Sequence, residues 1–191
     1  EIRLSLVGSE MCIRDRFVLC IIQSAILTLS YVGVAIVYGN ELPETGILTN
    51  YPMVEFYISI FLLMYAADAM GIMISCLVKK EEAANVLAPY ILIVQLIFSG
   101  ILFAMEGMAD YISYVMISRW GMEALGSIAN LNDLPLKIQM TVPTVPHEFE
   151  SRFDSTPEHL LTVWAVLFGF IVVFLLVGNI LLHRVSKDTK G

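Results

Sequence analysis

Asp68 is the residue most suited to take part in chemistry, because its carboxylate falls inside a long apolar stretch, Val54–Val78. Placing a carboxylate in the hydrocarbon core of a membrane costs about 2.5–3.5 kcal/mol on insertion scales, so such a group normally faces a helix bundle or a wet path. One interpretation is contact with a substrate or a proton, and an intramembrane enzyme would need a second catalytic group beside it. We favour a structural bond to a neighbouring helix, because the apolar stretches of the chain hold no basic partner for this buried polar residue.

Three small residues lie in the same stretch and recur every four positions: Ala67, Gly71 and Ser75. At that spacing they share one face of a helix, where small side chains let a second helix approach closely. The pattern predicts a helix-packing face rather than a binding site.

Residues Leu42–Gly46 read Leu-Pro-Glu-Thr-Gly, which matches the signal that sortases use to anchor proteins to a cell wall. An apolar stretch and Lys79-Lys80 follow it, as such a signal requires. A sorting signal ends its protein, however, whereas two further apolar stretches follow here, and Pro43 and Gly46 also suit an ordinary turn. We interpret the motif as a turn and keep a surface anchor, cleaved between Thr45 and Gly46, as the alternative function.

Metal binding and catalysis find little support elsewhere in the chain. Acidic and histidine residues gather in one loop, at His147, Glu148, Glu150, Asp154, Glu158 and His159, without a recognised ligand spacing. A solvated loop is the favoured interpretation. The sequence also lacks a Gly-rich phosphate loop, a nucleophile elbow and paired catalytic carboxylates. We therefore predict no catalytic residue, metal or cofactor on this stretch of chain.

Composition determines the class of protein. Of the 191 residues, 58% are hydrophobic and 15% are charged, whereas a soluble domain has about 45–50% apolar and about 25% charged residues. The excess apolar surface must face lipid, which excludes a soluble enzyme and makes membrane lipid a partner. The net charge of −7 excludes nucleic-acid binding, and three cysteines are too few for a disulfide framework.

Residues 1–16 are interpreted as an added segment and set aside from the fold. The run from Leu6 to Arg16, LVGSEMCIRDR, matches one reading frame of a widely used transposase-based sequencing adapter. We therefore expect the biological chain to begin near Phe17 and to be a fragment, with residues 17–191 forming one partial membrane domain.

Four apolar stretches are long enough to cross a hydrocarbon core about 30 Å thick, which needs roughly 20 helical residues: 17–38, 54–78, 86–105 and 160–182. Lysine and arginine mark the cytoplasmic side of a membrane protein. They are dense in 79–85 and 183–191, absent from 39–53 and sparse in 106–159. The sequence predicts an all-α, multi-pass protein of the plasma (inner) membrane, with the C-terminus in the cytoplasm.

The long outer region, 106–159, divides into two parts. Met108–Asn130 is predicted to be helical, with Tyr111, Tyr114 and Trp120 suited to a membrane interface. Prolines punctuate 131–157, which predicts a loop. Thr156-Pro157-Glu158 then has the pattern of a helix start, with proline at the first helical position and an acid in the first turn.

Two motifs occur together in this region: Phe98-Ser-Gly-Ile-Leu102 and, about 20 residues later, Ser118-Arg-Trp-Gly-Met-Glu-Ala-Leu125. In combination they resemble the membrane domain of G-subfamily-like ABC exporters, the white and pleiotropic-drug-resistance type of the type-2 permease superfamily. The resemblance implies that the four stretches are the third to sixth of six spans. It also implies that the Phe-Ser-Gly turn ends the fifth span and that a re-entrant outer helix pair follows.

The resemblance further implies roles for single positions. Ile101 and Leu102 match the apolar plug at the outer end of the translocation path, and Ile93 and Leu96 match positions that line the cavity below it. The re-entrant motif residues would hold that element together rather than touch substrate: Ser118, Arg119, Trp120, Gly121 and Glu123.

As a whole, the resemblance implies the transmembrane part of an ATP-driven exporter. A second permease domain, in a homodimer, would enclose the path with it. An ABC ATPase domain, on the same chain or a separate subunit, would bind ATP and Mg²⁺ and supply the enzymatic activity that this stretch lacks.

Overall fold

The computed structural model describes the backbone of residues 2–38, 45–78, 81–100, 102, 107–133 and 150–188. Within these ranges it describes the side chains from Arg14 to Leu182, except those of residues 81, 82 and 84. All regular structure in the described part is helical, which confirms the predicted all-α class. The predicted loop with His147 and Glu148, the residues Leu42–Glu44, and Ile101 lie outside the described residues.

Six α-helices follow one another in the described ranges of the chain, and we number them in order. They are α1 (Ile2–Val37), α2 (Pro52–Leu77), α3 (Glu81–Ile97), α4 (Met108–Ser113), α5 (Ile117–Ile128) and α6 (Pro157–Asp188). Short 3₁₀ turns occupy Leu131–Asp133 and Ser151–Phe153. The last helix begins at Pro157, which confirms the start that the Thr-Pro-Glu pattern predicts.

Among the residues that the structure describes, three helices are long and apolar enough to cross a membrane: Arg14–Val37, Pro52–Leu77 and Pro157–Leu182. The fourth predicted span, 86–105, differs, because its helix ends at Ile97 and its apolar part is the shorter Asn85–Ile97. The helix ends where Gly100 adopts a φ of 82°, a left-handed conformation that glycine tolerates and that stops an α-helix. The Phe-Ser-Gly turn therefore does end this helix, earlier than hydrophobicity alone predicted.

The outer region Met108–Asn130, predicted to be helical, is mostly helical. It forms two helices, α4 and α5, which are separated by a turn at residues 114–116. The Met116 N–H donates to the Ser113 carbonyl at 2.9 Å, and this bond closes the turn. The result is a helix pair, as the family resemblance implied.

The core lies where α2, α5 and α6 meet. Its buried side chains include Phe56, Ala66, Ile117, Ala124, Leu160, Val163 and Leu167. A polar bond crosses the α2–α6 interface, where the Trp164 indole donates to the Ser59 hydroxyl at 2.8 Å. Buried polar groups need such partners, because an unpaired one costs about 1–3 kcal/mol.

Small residues do permit close packing of α2, but they are not the predicted ones. Ala66 and Ala69 are buried on α2, and an added Cβ at Gly178 of α6 would lie 3.7 Å from the Met73 Cα. By contrast, Ala67 and Ser75 are exposed, and nothing lies within 4 Å of an added Cβ at Gly71. Ala67 lines an open pocket beside α1, together with Leu19 and Gln23, so a close-packing role for its face stays a prediction.

Candidate functional site

The start of α5 is fastened to α3 by one side chain, Gln95. Helix α5 has Met116 at its N-cap with no side-chain cap, which leaves its first backbone N–H groups to find other partners. The Gln95 Oε1 accepts the Ser118 N–H at 3.0 Å, and the Ser118 hydroxyl donates to the Gln95 carbonyl. Gln95 thus supplies the missing cap from another helix, and Ser118 is a contact point between α3 and the outer helix pair.

Arg119 joins the two outer helices and is only 4% exposed. Its Nη1 donates to the Asp110 carboxylate at 2.8 Å, to the Asp110 carbonyl at 3.1 Å and to the Ser113 hydroxyl. Its guanidinium also lies 3.6 Å from the centre of the Tyr114 ring, a cation–π distance. The structure therefore surrounds Arg119 with α4 and with the turn that follows it.

Glu123 lies one turn after Arg119 and is also buried. Its Oε1 is 3.3 Å from the His159 Nε2, and its Oε2 is 3.8 Å from the Arg119 Nε. The latter distance is too long for a hydrogen bond, and neither atom has another hydrogen-bond partner among the described residues. The His159 Nε2 also lies 2.9 Å from the Arg152 carbonyl, so it faces two acceptors and must carry its hydrogen.

Burial raises the pKa of Glu123, and the neighbouring His159, Arg119 and Arg152 partly oppose that shift. An acid whose pKa is raised by folding stabilises the fold at low pH, and this contribution is lost as the pH rises through the folded-state pKa. We expect the free energy of unfolding in detergent to fall through this group as the pH rises from about 4, near the ordinary pKa of a glutamate, through the raised pKa of Glu123. Thermal unfolding across this pH range measures the effect.

The matched variants are Glu123→Gln and Glu150→Gln, since the second removes an exposed acid from the same outer region. The pH-dependent loss should shrink in Glu123→Gln and persist in Glu150→Gln. Equal pH profiles for the wild type and Glu123→Gln would contradict the assignment.

Trp120 and Gly121 fit the outer helices to their surroundings. The Trp120 indole donates to the Tyr114 carbonyl at 2.9 Å, which fixes the ring against the α4–α5 turn. An added Cβ at Gly121 would lie 2.5 Å from the Leu63 Cδ1, so the glycine lets α5 approach α2. The five residues of the predicted re-entrant motif therefore lie together in α5, in contact with α2, α3, α4 and α6.

The residues predicted to line a translocation path lie on or just after α3. Ile93, Leu96 and Leu102 are 53%, 50% and 54% exposed, so the chain's own helices leave about half of each side chain uncovered. An apolar surface of this kind, at the end of a short helix, is available to lipid or to a second copy of the chain.

Asp68 has a partner that the sequence analysis missed. The Arg16 Nη1 donates to its Oδ1 at 2.7 Å, in a partly exposed ion pair between α1 and α2. The prediction that Asp68 makes a structural bond to a neighbouring helix therefore has a specific candidate. This ion pair was missed because Arg16 falls within residues 1–16, which the sequence analysis set aside as an added segment. In the structure, helix α1 extends through that segment from Ile2.

Glu55 is a second residue that sequence reasoning missed. Its fully buried carboxylate accepts the backbone N–H groups of Ile47, Leu48 and Thr49 at 2.8, 2.7 and 2.6 Å. An added Cβ at Gly46 would come within 2.5 Å of this carboxylate and of the Thr49 carbonyl. The last residue of the Leu-Pro-Glu-Thr-Gly motif is thus part of a tightly packed turn, which supports the turn interpretation.

No group of three or more potential metal ligands occurs among the described residues. The candidate site consists of the exposed apolar face of α3 and the adjacent helix pair, α4 and α5, which is held by polar bonds. These elements belong to a multi-pass membrane protein. Comparison with known proteins identifies the family.

Residues 15–129 match the family model described as the ABC-2 type transporter, and the chain belongs to this family of transporter membrane domains. It is similar to an ABC transporter ATP-binding/permease protein of Mycobacterium tuberculosis, with 28% identity over 164 residues. That match covers 82% of this chain and 17% of the relative, so the chain spans about a sixth of that protein's length. No solved structure matches the chain.

Proposed function

We propose that this chain forms the substrate translocation path of an ATP-driven exporter of the G-subfamily-like type, working as a homodimer in the plasma membrane with its C-terminus in the cytoplasm. Membership of the ABC-2 family is the observation that carries the proposal. An ABC ATPase domain, on the same chain or a separate subunit, would bind ATP and Mg²⁺ and drive the cycle. The name of the Mycobacterium tuberculosis relative, which joins ATP binding and permease in one protein, supports that arrangement.

The exposed face of α3 supports the path assignment. Ile93 and Leu96 lie on this face near the end of the helix, and Leu102 follows the turn. An aliphatic constriction closes a path by excluding water from it. Two copies that brought these faces together would cover the half-exposed side chains and form such a closure, with Ile101 as a further member of the plug.

The polar links of α5 give the closure a fixed support. Gln95 ties α3 to Ser118, while Arg119 ties the same helix to α4. A movement of α5 would therefore be transmitted to Gln95, which lies near the end of α3 and is adjacent to Leu96. In this arrangement the motif from Ser118 to Glu123 positions the plug and does not contact the transported molecule.

Cysteine cross-linking tests the proposed dimer without knowledge of the substrate. In a background with the native cysteines replaced by serine, Leu96→Cys is expected to give several-fold more oxidised dimer than Leu27→Cys. The two leucines are matched in exposure, 50% and 49%, but Leu27 lies on α1 and away from the proposed path. Dimer yield on a non-reducing gel is the measurement.

Equal yields at the two positions, or none at position 96 in monodisperse protein, would count against the homodimeric path. The ATP-driven part has its own readout. With the ATPase domain present, adding ATP and Mg²⁺ should change the yield at position 96 and leave position 27 unaffected. An unchanged yield at both positions would contradict a nucleotide-driven cycle.

A further inference from the structure

A cavity of about 860 Å³ opens between α2, α3, α6 and the turn before α5. Its volume is within the range of about 300–1,000 Å³ that is typical of small-molecule sites. The described residues that line it are uncharged and almost all apolar. On α3 the lining residues include Leu87, Ile91 and Val94, which lie on the side of the helix away from Ile93 and Leu96. The cavity is therefore separate from the proposed translocation path.

The side-chain amide of Gln95 lies at one end of this cavity, and the other lining residue with a polar side-chain group is Tyr90. The amide oxygen of Gln95 accepts the Ser118 N–H, which fixes the orientation of the amide and leaves the nitrogen as a donor. The nitrogen's hydrogen-bond partner among the described residues is the Met70 sulfur at 3.8 Å. A thioether is a weak acceptor, so a carbonyl oxygen would be a better partner for this donor.

The cavity is mostly apolar and long enough to hold part of a lipid chain. From Gln95 to Leu87 the α3 wall extends about 12 Å, at 1.5 Å per residue, and beyond Gln95 its lining side chains are apolar except for the Tyr90 hydroxyl. Met70 and Met73 contribute flexible thioether side chains, which adapt to irregular occupants. In a bilayer, lipid tails are as apolar as leucine, so contact area alone does not select an occupant. The Gln95 donor supplies the selective interaction.

We propose that this cavity binds one acyl chain of a membrane phospholipid. The ester carbonyl would accept a hydrogen bond from the Gln95 Nε2, and the chain would lie along α3 toward Leu87. A bound lipid would fill the space between α3 and α6. It would complete the packing of α3, the shortest of the apolar helices. This site does not depend on the direction or the substrate of transport.

Gly169 provides a direct test, because it lines the cavity and an added Cβ there meets nothing within 4 Å. Gly169→Leu should place a side chain in the cavity, with a Cβ that meets no neighbour. Gly33→Leu is the matched control, since it also lies in an apolar helix with nothing within 4 Å, but on α1 and outside the cavity. The probe is phosphatidylglycerol carrying a diazirine in one acyl chain, incorporated into nanodiscs with the purified full chain.

After irradiation, mass spectrometry should place wild-type cross-links on the lining residues of α3 and α6 above the level on α1. Gly169→Leu should lose these cross-links at least five-fold, while Gly33→Leu should retain them. Val94→Phe, which narrows the same cavity from α3, is the second variant and should reproduce the loss. Cross-links spread evenly over all lipid-facing helices, as for ordinary boundary lipid, would overturn the proposal. So would their absence from the cavity in the wild type, as expected if another helix occupied it.

Discussion

Arg119→Met is expected to destabilise the chain by about 3–5 kcal/mol, because it removes a buried cation and leaves a buried carboxylate without it. Arg119 and Glu123 have side chains that are 5% and 9% exposed, so water cannot replace the lost partner at low cost. The substitution also removes the three donated bonds that join α4 to α5. Reversible denaturation in mixed micelles, followed by tryptophan fluorescence, measures the change in the free energy of unfolding.

A double-mutant cycle separates the stranded charge from the lost bonds. Adding Glu123→Gln to Arg119→Met removes the uncompensated carboxylate and is expected to recover a large part of the lost stability. Glu123→Gln alone should cost much less than Arg119→Met. If the double variant is as unstable as Arg119→Met, the loss arises from the α4–α5 bonds, and the argument from the buried charge is wrong.

Glu55→Ala is expected to cost about 2–4 kcal/mol, because three backbone N–H groups lose a charged acceptor at once. The carboxylate fixes the turn before α2, and the Thr49 hydroxyl also donates to it at 3.1 Å. Glu55→Gln should give an intermediate loss, since the amide keeps one acceptor oxygen and turns a donor toward the same N–H groups. Thermal unfolding of the purified protein in detergent provides the comparison.

The control for Glu55 is Glu158→Ala. Both acids lie in the first turn of a helix that begins with proline, but Glu158 is exposed. Its loss should remain below about 1 kcal/mol, as expected of a surface charge near a helix N-terminus. Gly46→Ala should destabilise in the same direction as Glu55→Ala, because its Cβ has no space beside the carboxylate. Equal effects of the two glutamate substitutions would show that the turn does not depend on Glu55.

Much of the helical architecture was predictable because its determinants are local. Long apolar stretches predicted the positions of α1, α2 and α6, and the Pro157 pattern predicted where α6 begins. Hydrophobicity gave the wrong end for α3, because apolar residues continue past Ile97 while the backbone turns at Gly100. The position of the break at residues 114–116 could not be predicted from composition, which does not change there.

The candidate site was predictable as a motif but not as a set of contacts. The family resemblance implied that Arg119 and Glu123 belong to the same motif, and their spacing places them on one helix face. His159, which lies beside Glu123, was grouped instead with an acidic loop. The capping role of Gln95 was also missed, since a glutamine in an apolar stretch does not reveal which helix it contacts.

The sequence by itself determined that this is a membrane protein, where α1, α2 and α6 can cross the bilayer, and that the chain belongs to the ABC-2 type transporter family. These properties depend on composition and on neighbours along the chain. Only the tertiary structure decided the partners of the buried polar groups: Arg16 for Asp68, the turn N–H groups for Glu55, and Ser59 for Trp164, 105 residues away. The reason is physical, because a buried donor or acceptor must be satisfied by whatever group the folded helices bring to it.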